Sequence, residues 1–305
     1  MSRFQSLFVR WFLMAAAASS VACGNGDLCV DGVYDGTLAL EAEGYVFAES
    51  PSLLSPGSRE VIPYSDMPFA TCRVIGGLFL QRKGAILDSD HYPLLEELGS
   101  IGIAADDEGG PQQVDEISGF DGVVRFGGMG SVSRFGYASV AVISGFNAVE
   151  RLEGTLAAGA EVTGFAALTE VDGDLSVRSM AHGAQLERIG GSAGFGSTYE
   201  VVDLPNLREV GGDLVFDGTR ATSLGFPALA RVGGNFIVTF NEILEEWTGV
   251  SRGMSVGGYY LANNNSPVRD SSFQSLLIED EMNIYGQVKI CGNGPRGERE
   301  PCSDL

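Results

Sequence analysis

The sequence predicts an all-β fold, a parallel β-helix or β-solenoid of short leucine-rich-like coils, and three observations lead there. A phrase ending in an aliphatic residue, a glycine and an alternating apolar strand recurs along the chain. Glycine makes up 43 of 305 residues, about twice the usual share of roughly 7%, and with no G-X-Y period the excess belongs to tight turns. Hydrophobic residues make up 44% of the chain, ample for a core, yet no apolar stretch reaches the roughly 20 residues that span a bilayer.

In chain order, residues 1–22 have the form of an export signal, with Arg3 and Arg10 as its basic part and Trp11 to Ala22 as its Ala-rich apolar part. The signal ends in Ser20-Val21-Ala22-Cys23, which resembles the bacterial lipobox. That resemblance implies lipid attachment at Cys23, and Gly24, not being the Asp of inner-membrane retention, implies the outer membrane. Ser20-x-Ala22 also suits ordinary signal-peptidase cleavage and free secretion. Removing residues 1–22 leaves 17 basic against 40 acidic side chains, a net charge of −23. Such a surface is repelled by nucleic acid and by anionic lipid, so the expected membrane contact is the lipid anchor alone and no nucleic-acid partner is expected.

Residues 23–71, with Pro51, Pro56, Pro63 and Pro68, form a predicted tether and N-terminal cap in which Gly36-Thr37-Leu38-Ala39-Leu40 supplies a candidate strand. Residues 72–302 form the solenoid and 303–305 a tail. Besides Cys23 the chain holds Cys29, Cys72, Cys291 and Cys302, an even number in an oxidising compartment. Three pairings are possible. Nearness in sequence favours Cys29 with Cys72 and Cys291 with Cys302, each closing one end. There is no C-x-x-C, and His91 and His182 lie far from the cysteines, so no metal site and no cofactor is expected.

The repeat is plainest in Leu204-Pro205-Asn206-Leu207-Arg208-Glu209-Val210-Gly211-Gly212-Asp213-Leu214 and Phe226-Pro227-Ala228-Leu229-Ala230-Arg231-Val232-Gly233-Gly234-Asn235-Phe236. Copies opening on Gly145-Phe146 and Gly164-Phe165 precede it. Gly154, Gly173, Gly191, Gly212, Gly234 and Gly258 mark successive strands at spacings of 19, 18, 21, 22 and 24 residues, and Gly77 marks the first. One coil per repeat follows, each burying its apolar side on its neighbours. The expected reason for the glycines is a left-handed turn into the strand. Inward asparagines in Phe240-Asn241-Glu242 and Ala262-Asn263-Asn264-Asn265 could form a ladder along the stack, with ordinary polar turns as the alternative.

Cys72-Arg73-Val74-Ile75-Gly76-Gly77-Leu78-Phe79-Leu80 resembles the opening coil of the receptor L domain. Val171-Asp172-Gly173-Asp174-Leu175, Val210-Gly211-Gly212-Asp213-Leu214 and Val232-Gly233-Gly234-Asn235-Phe236 resemble its later coils, and Ile290-Cys291-Gly292-Asn293 with Cys302 resembles its disulfide-closed end. The resemblance covers about residues 72–302. It implies a right-handed solenoid of short parallel strands, disulfide-capped at both ends, with no catalytic centre and with protein binding or surface organisation as its work. Between residues 84 and 136 the pattern lapses, leaving candidates only near Ile117-Ser118-Gly119-Phe120.

The catalytic patterns point elsewhere. Gly253-Met254-Ser255-Val256-Gly257 fits the G-x-S-x-G elbow, but a repeat strand follows it and both histidines precede it. The clusters Gly127-Gly128-Met129-Gly130 and Gly190-Gly191-Ser192-Ala193-Gly194 lack the Lys-Ser/Thr ending of a phosphate loop. Asp106-Asp107-Glu108 could attract Ca²⁺ only diffusely, lacking regular ligand spacing. The expectation is a non-catalytic surface module recognising protein or glycan. A structural envelope protein is the first alternative and a polysaccharide-acting β-helix enzyme the second. An exposed aromatic patch including Tyr259 and Tyr260 would favour binding.

Overall fold

A computed structural model of the chain describes residues 29, 31–40, 44–48, 62–63, 71–80, 86–87, 90, 92–104, 113–132, 139–157, 159–196, 202–266, 268, 270–278 and 282–295. Each level of the stack contributes up to three short strands. The first two, such as Glu209–Val210 and Leu214–Asp217, flank the glycine corner, and both pair in parallel with their counterparts one level on. These two ladders merge into one 22-stranded sheet. Val33–Leu40 and Val74–Leu80 run through both ladders and join them. Third strands form a five-stranded sheet up to Ser179–Met180 and a three-stranded one from Val202–Asp203 to Glu246–Val250.

The core follows from alternation. Successive residues of a strand turn to opposite faces, so every second residue shares one. Hence Leu152, Val171, Ile189, Val210 and Val232, equivalent by register, stack fully buried along the axis. Each such burial contributes roughly 1.5–3 kcal/mol. No level could retain it alone.

The marker glycines fall in register, each two residues before the second strand, but their reason differs from the expected one. Gly154, Gly173, Gly191, Gly212, Gly234 and Gly258 do not adopt positive φ. A Cβ on Gly154 would instead collide with Gly127 O, and one on Gly173 would lie 2.7 Å from Gly154 O. The corners of successive levels approach too closely for a side chain. Gly77 is one residue out of the series. Leu78 pairs with Ile101, Ile101 with Met129 and Met129 with Leu156, so the equivalent glycines are Gly76, Gly99 and Gly127.

From residue 152 onward the corner is one residue longer, and the added residue brings an oxygen. Thr155 Oγ1 accepts from Asp174 N, Asp174 Oδ1 from Ser192 N, Ser192 Oγ from Asp213 N, and Asp213 Oδ1 from Asn235 N, at 2.7 to 3.1 Å. Each side chain caps the corner amide of the next level, which the next strand could not reach.

Two further columns hold the stack. In the earlier levels Phe120, Phe146 and Phe165 take φ of 61°, 57° and 61°. Their rings stack at 5.1 and 5.2 Å, fully or nearly fully buried. Left-handed backbone costs a non-glycine residue about 1–2 kcal/mol, which burial of an aromatic ring offsets. A Cβ on Gly145 or Gly164 would strike the glycine carbonyl of the level before. In the later levels the asparagine ladder exists. Asn241 Nδ2 donates to Asn265 Oδ1 at 2.6 Å and Asn265 Nδ2 to Asn293 Oδ1 at 2.8 Å, while Thr219 Oγ1 donates to Asn241 Oδ1. The same amides donate to Phe216 O, Val238 O and Ala262 O. Asn263 and Asn264 lie outside this ladder, and Asn264 instead takes the left-handed turn at φ 55°.

At the N-terminal end the strand expected at 36–40 is longer, Val33–Leu40, and parallel to Val74–Leu80. The solenoid therefore begins within the segment assigned to tether and cap. Gly44–Ala48 pairs antiparallel with Val33–Leu40, and Ile62–Pro63 pairs antiparallel with Gly44–Ala48. Cys29 and Cys72 form a disulfide across 43 residues of sequence. Cys23, Cys302 and the Asp106-Asp107-Glu108 cluster lie outside the described residues. At the other end a helix not expected from the sequence, Asp270–Ile278, stands in the place of a third strand. Its Phe273 is fully buried and Leu277 packs on the core, an i, i+4 pair.

Candidate functional site

Three outward surfaces carry chemistry. On the first ladder, register sets Glu97 beside Arg125, Arg151 beside Glu170, Glu170 beside Arg188, Arg188 beside Glu209 and Glu209 beside Arg231. Arg125 bridges to Glu97 at 3.0 Å and Arg151 to Asp172 at 2.9 Å. At the head of the stripe Arg73 grips both carboxylate oxygens of Glu96, which raises the Arg73 pKa by direct hydrogen bonding. In this strongly acidic chain the stripe gathers arginines where they neutralise their own neighbours. Glu97, Glu170, Asp172 and Glu209 are therefore engaged as ion-pair partners, and Asp174 and Asp213 as corner caps.

On the second ladder the residue facing outward changes character along the stack. Gly130, Ala157, Ser176 and Gly194 occupy this column in the earlier levels, and Val215, Ile237 and Leu261 in the later ones, with Lys289 last. All but the exposed Ser176 are half-buried.

The third surface is a corner near the C-terminal end. Tyr259 occupies the position that carries the capping oxygen in the preceding levels, so the chain of caps ends at Asn235 Oδ1, which accepts from Tyr259 N at 3.0 Å. Tyr285 follows Ile284, the partner of Val256, and so occupies the position of Gly257 one level on. Tyr259 is 40% exposed, Tyr285 80% and Val288 38%. The expectation for Tyr260 is corrected. It is fully buried against Phe236, because alternation turns adjacent residues to opposite faces, and burial pushes its phenol pKa up. Its hydroxyl has no hydrogen-bond partner.

Ser255 opens the short strand Ser255–Val256, which leads through the Gly257-Gly258 corner into Tyr260–Asn263. The helix that a nucleophile elbow requires after its serine is replaced by a strand. The clusters at Gly127–Gly130 and Gly190–Gly194 are corners that run directly into the strands Met129–Val132 and Ala193–Gly196. Among the described residues no group of three or more His, Cys, Asp or Glu side chains is placed to hold a metal ion. Among them, too, no helix is long and apolar enough to cross a membrane. No protein-family model, no curated protein and no solved structure matches the chain.

Proposed function

We propose that this protein is an exported, non-catalytic recognition module that binds a protein or glycan ligand at the Tyr259–Tyr285 corner. The observation that carries the reading is the pair of exposed tyrosines at positions where other levels keep a capping oxygen or a glycine. Neither ring belongs to the buried core. Tyrosine presents a large amphipathic face at small entropic cost, which suits sugar rings and protein surfaces alike. The signal-like residues 1–22 and Cys23 support export and lipid anchoring at the outer surface.

In this reading the solenoid is a receptor L-like one. It winds right-handed, as parallel crossovers do in about 98% of cases. Cys291 is in a disulfide, which supports closure of the C-terminal end through Cys302. A structural envelope role is the second reading, favoured by the small-residue half of the outward column, which suits packing against another flat surface.

The test is a glycan and surface-protein array probed with residues 24–305, wild type and the Tyr259→Ala/Tyr285→Ala double variant. Recognition of a defined ligand that the double variant loses while keeping its melting temperature is the expected result. Binding that survives both substitutions, or no ligand in either class, would overturn the assignment to this corner.

A further inference from the structure

We infer that the second-ladder face is the interface of a two-fold symmetric pair of these chains, one solenoid running antiparallel to the other. The argument is one of shape. A two-fold axis lying in the face along the strand direction, between the levels of Gly194 and Val215, reverses the order of levels in the partner copy. Gly194 then faces Val215, Ser176 faces Ile237, Ala157 faces Leu261 and Gly130 faces Lys289. Within these eight levels every large outward side chain meets a small one, and Gly102 and Phe79, which precede Gly130 in the same column, fall beyond the overlap. A Cβ on Gly130 would meet nothing within 4 Å, so the vacant relief is real space above the sheet.

Charge agrees with shape. Two residues beyond the column stand Asp217, on the level of Val215, and Arg178, on the level of Ser176. The axis brings Asp217 of one copy opposite the level of Gly194, next to Arg178 of the other, and symmetry makes the contact twice. The eight levels from Gly130 to Lys289, at about 4.8 Å each and about 13 Å wide, offer on the order of 500 Å² per copy. The total of about 1,000 Å² sits at the lower bound for a specific interface, so the pair is a weak, reversible one. Since residues 24–305 carry 17 basic against 40 acidic side chains, a net charge of −23, repulsion between copies is screened by salt, and association strengthens as ionic strength rises.

Sedimentation velocity of residues 24–305 across a concentration series tests this. The expected result is a monomer–dimer equilibrium with a dissociation constant in about the micromolar to sub-millimolar range, tighter at 500 mM than at 50 mM salt. Ile237→Asp in the large half and Gly194→Arg in the small half should each weaken it by at least about tenfold. Asp217→Arg and Arg178→Asp should each weaken it, and the two together should restore it. Circular dichroism and melting confirm that every variant is folded before it is scored. A wild type that stays monomeric at millimolar concentration overturns the inference. So does a dimer indifferent to Gly194→Arg, or one that the charge exchange fails to restore.

Discussion

The levels around Phe120, Phe146 and Phe165 and those around Asn241, Asn265 and Asn293 solve one problem in opposite ways. Both must repeat a turn at the strand spacing and hold it against the level before. The earlier levels use ring stacking at 5.1 and 5.2 Å, which is apolar and tolerant of direction, and the stacked phenylalanine is itself left-handed. In the later levels the left-handed residue, Gly218, Phe240, Asn264 or Gly292, stands one position before the ladder residue. The later levels use amides, of which Asn241 and Asn265 each donate to a carbonyl and to the next amide, which tolerates no displacement. Accordingly each ladder residue stands five positions after the first residue of its second strand, from Leu214 and Thr219 to Val288 and Asn293. Packing is lost in proportion to volume removed. A hydrogen-bond chain is lost in proportion to the groups it strands.

Phe146→Ala should show the largest effect. It opens a cavity between two stacked rings and in contact with Phe126, and a loss of about 3–5 kcal/mol is expected by denaturant unfolding. Phe146→Leu, which restores much of the volume, should recover most of it. If it recovers nothing, the ring geometry rather than the packing holds these levels, and the contrast with the asparagine ladder fails.

Asn265→Leu comes next, at about 2–4 kcal/mol, because it leaves the Asn241 amide groups and Val238 O short of partners in the interior. Asn265→Asp should do no better, though it keeps the acceptor, since its second oxygen would face Asn293 Oδ1. The sign of its pH dependence is fixed. Burial and the facing acceptor raise the folded pKa of the new carboxyl above its unfolded value, so the variant gains stability as pH falls and loses it as pH rises through that pKa. A variant whose unfolding midpoint does not improve on acidification relative to wild type would show that this amide does not donate along the stack.

The glycines serve as the control, since some stand where successive corners touch and others over open space. A Cβ on Gly211 would overlap Gly190 O, and Gly211→Ala should cost about 1–3 kcal/mol through displaced backbone. Gly130→Ala, with open space above it, should stay within about 0.5 kcal/mol. Equal effects at the two positions would mean that backbone freedom, not the approach of levels, selects these glycines.

What the sequence revealed follows the same division. The markers from Gly154 to Gly258 were legible because three-residue corners repeat there without change. Gly77 was misplaced because Gly76 and Gly77 are adjacent and the early corners hold two residues, so composition alone cannot show which one stacks. The register from residue 84 to 136 was hidden by longer levels, with Gly99, Gly127 and Gly154 at 28 and 27 residues, and by strands broken up by long connections. Asn241 and Asn265 were readable as interior, whereas Asn293 offered only a Gly292-Asn293 that also reads as a chain-end turn. Tyr259 and Tyr260 could not be told apart without the pairing that fixes which faces inward. The corner oxygens were missed for a physical reason. Thr, Asp, Ser, Asp and Asn share no residue type, only an oxygen within reach of the next amide.

The smallest effect is expected on the charged stripe, and it sharpens the comparison by being indifferent to it. Arg188 sits between the two regions, 3.8 Å from Asp172 and 3.9 Å from Glu209, with its side chain 45% exposed. Exposed pairs of this kind contribute from nothing to about 1 kcal/mol, and separations near 4 Å place this one at the low end. Arg188→Ala should therefore lower stability by less than about 0.5 kcal/mol, measured by urea unfolding, and the difference should vanish at high salt. Arg188→Glu should cost more than the alanine at low salt, since it sets a third carboxylate beside Asp172 and Glu209, and should converge on it as salt rises. A loss comparable to that of Asn265→Leu, persisting at high salt, would make the stripe a structural seam joining the two regions. The expected convergence leaves it a solubilising surface that neutralises its own acids, with the stack held by what lies inside.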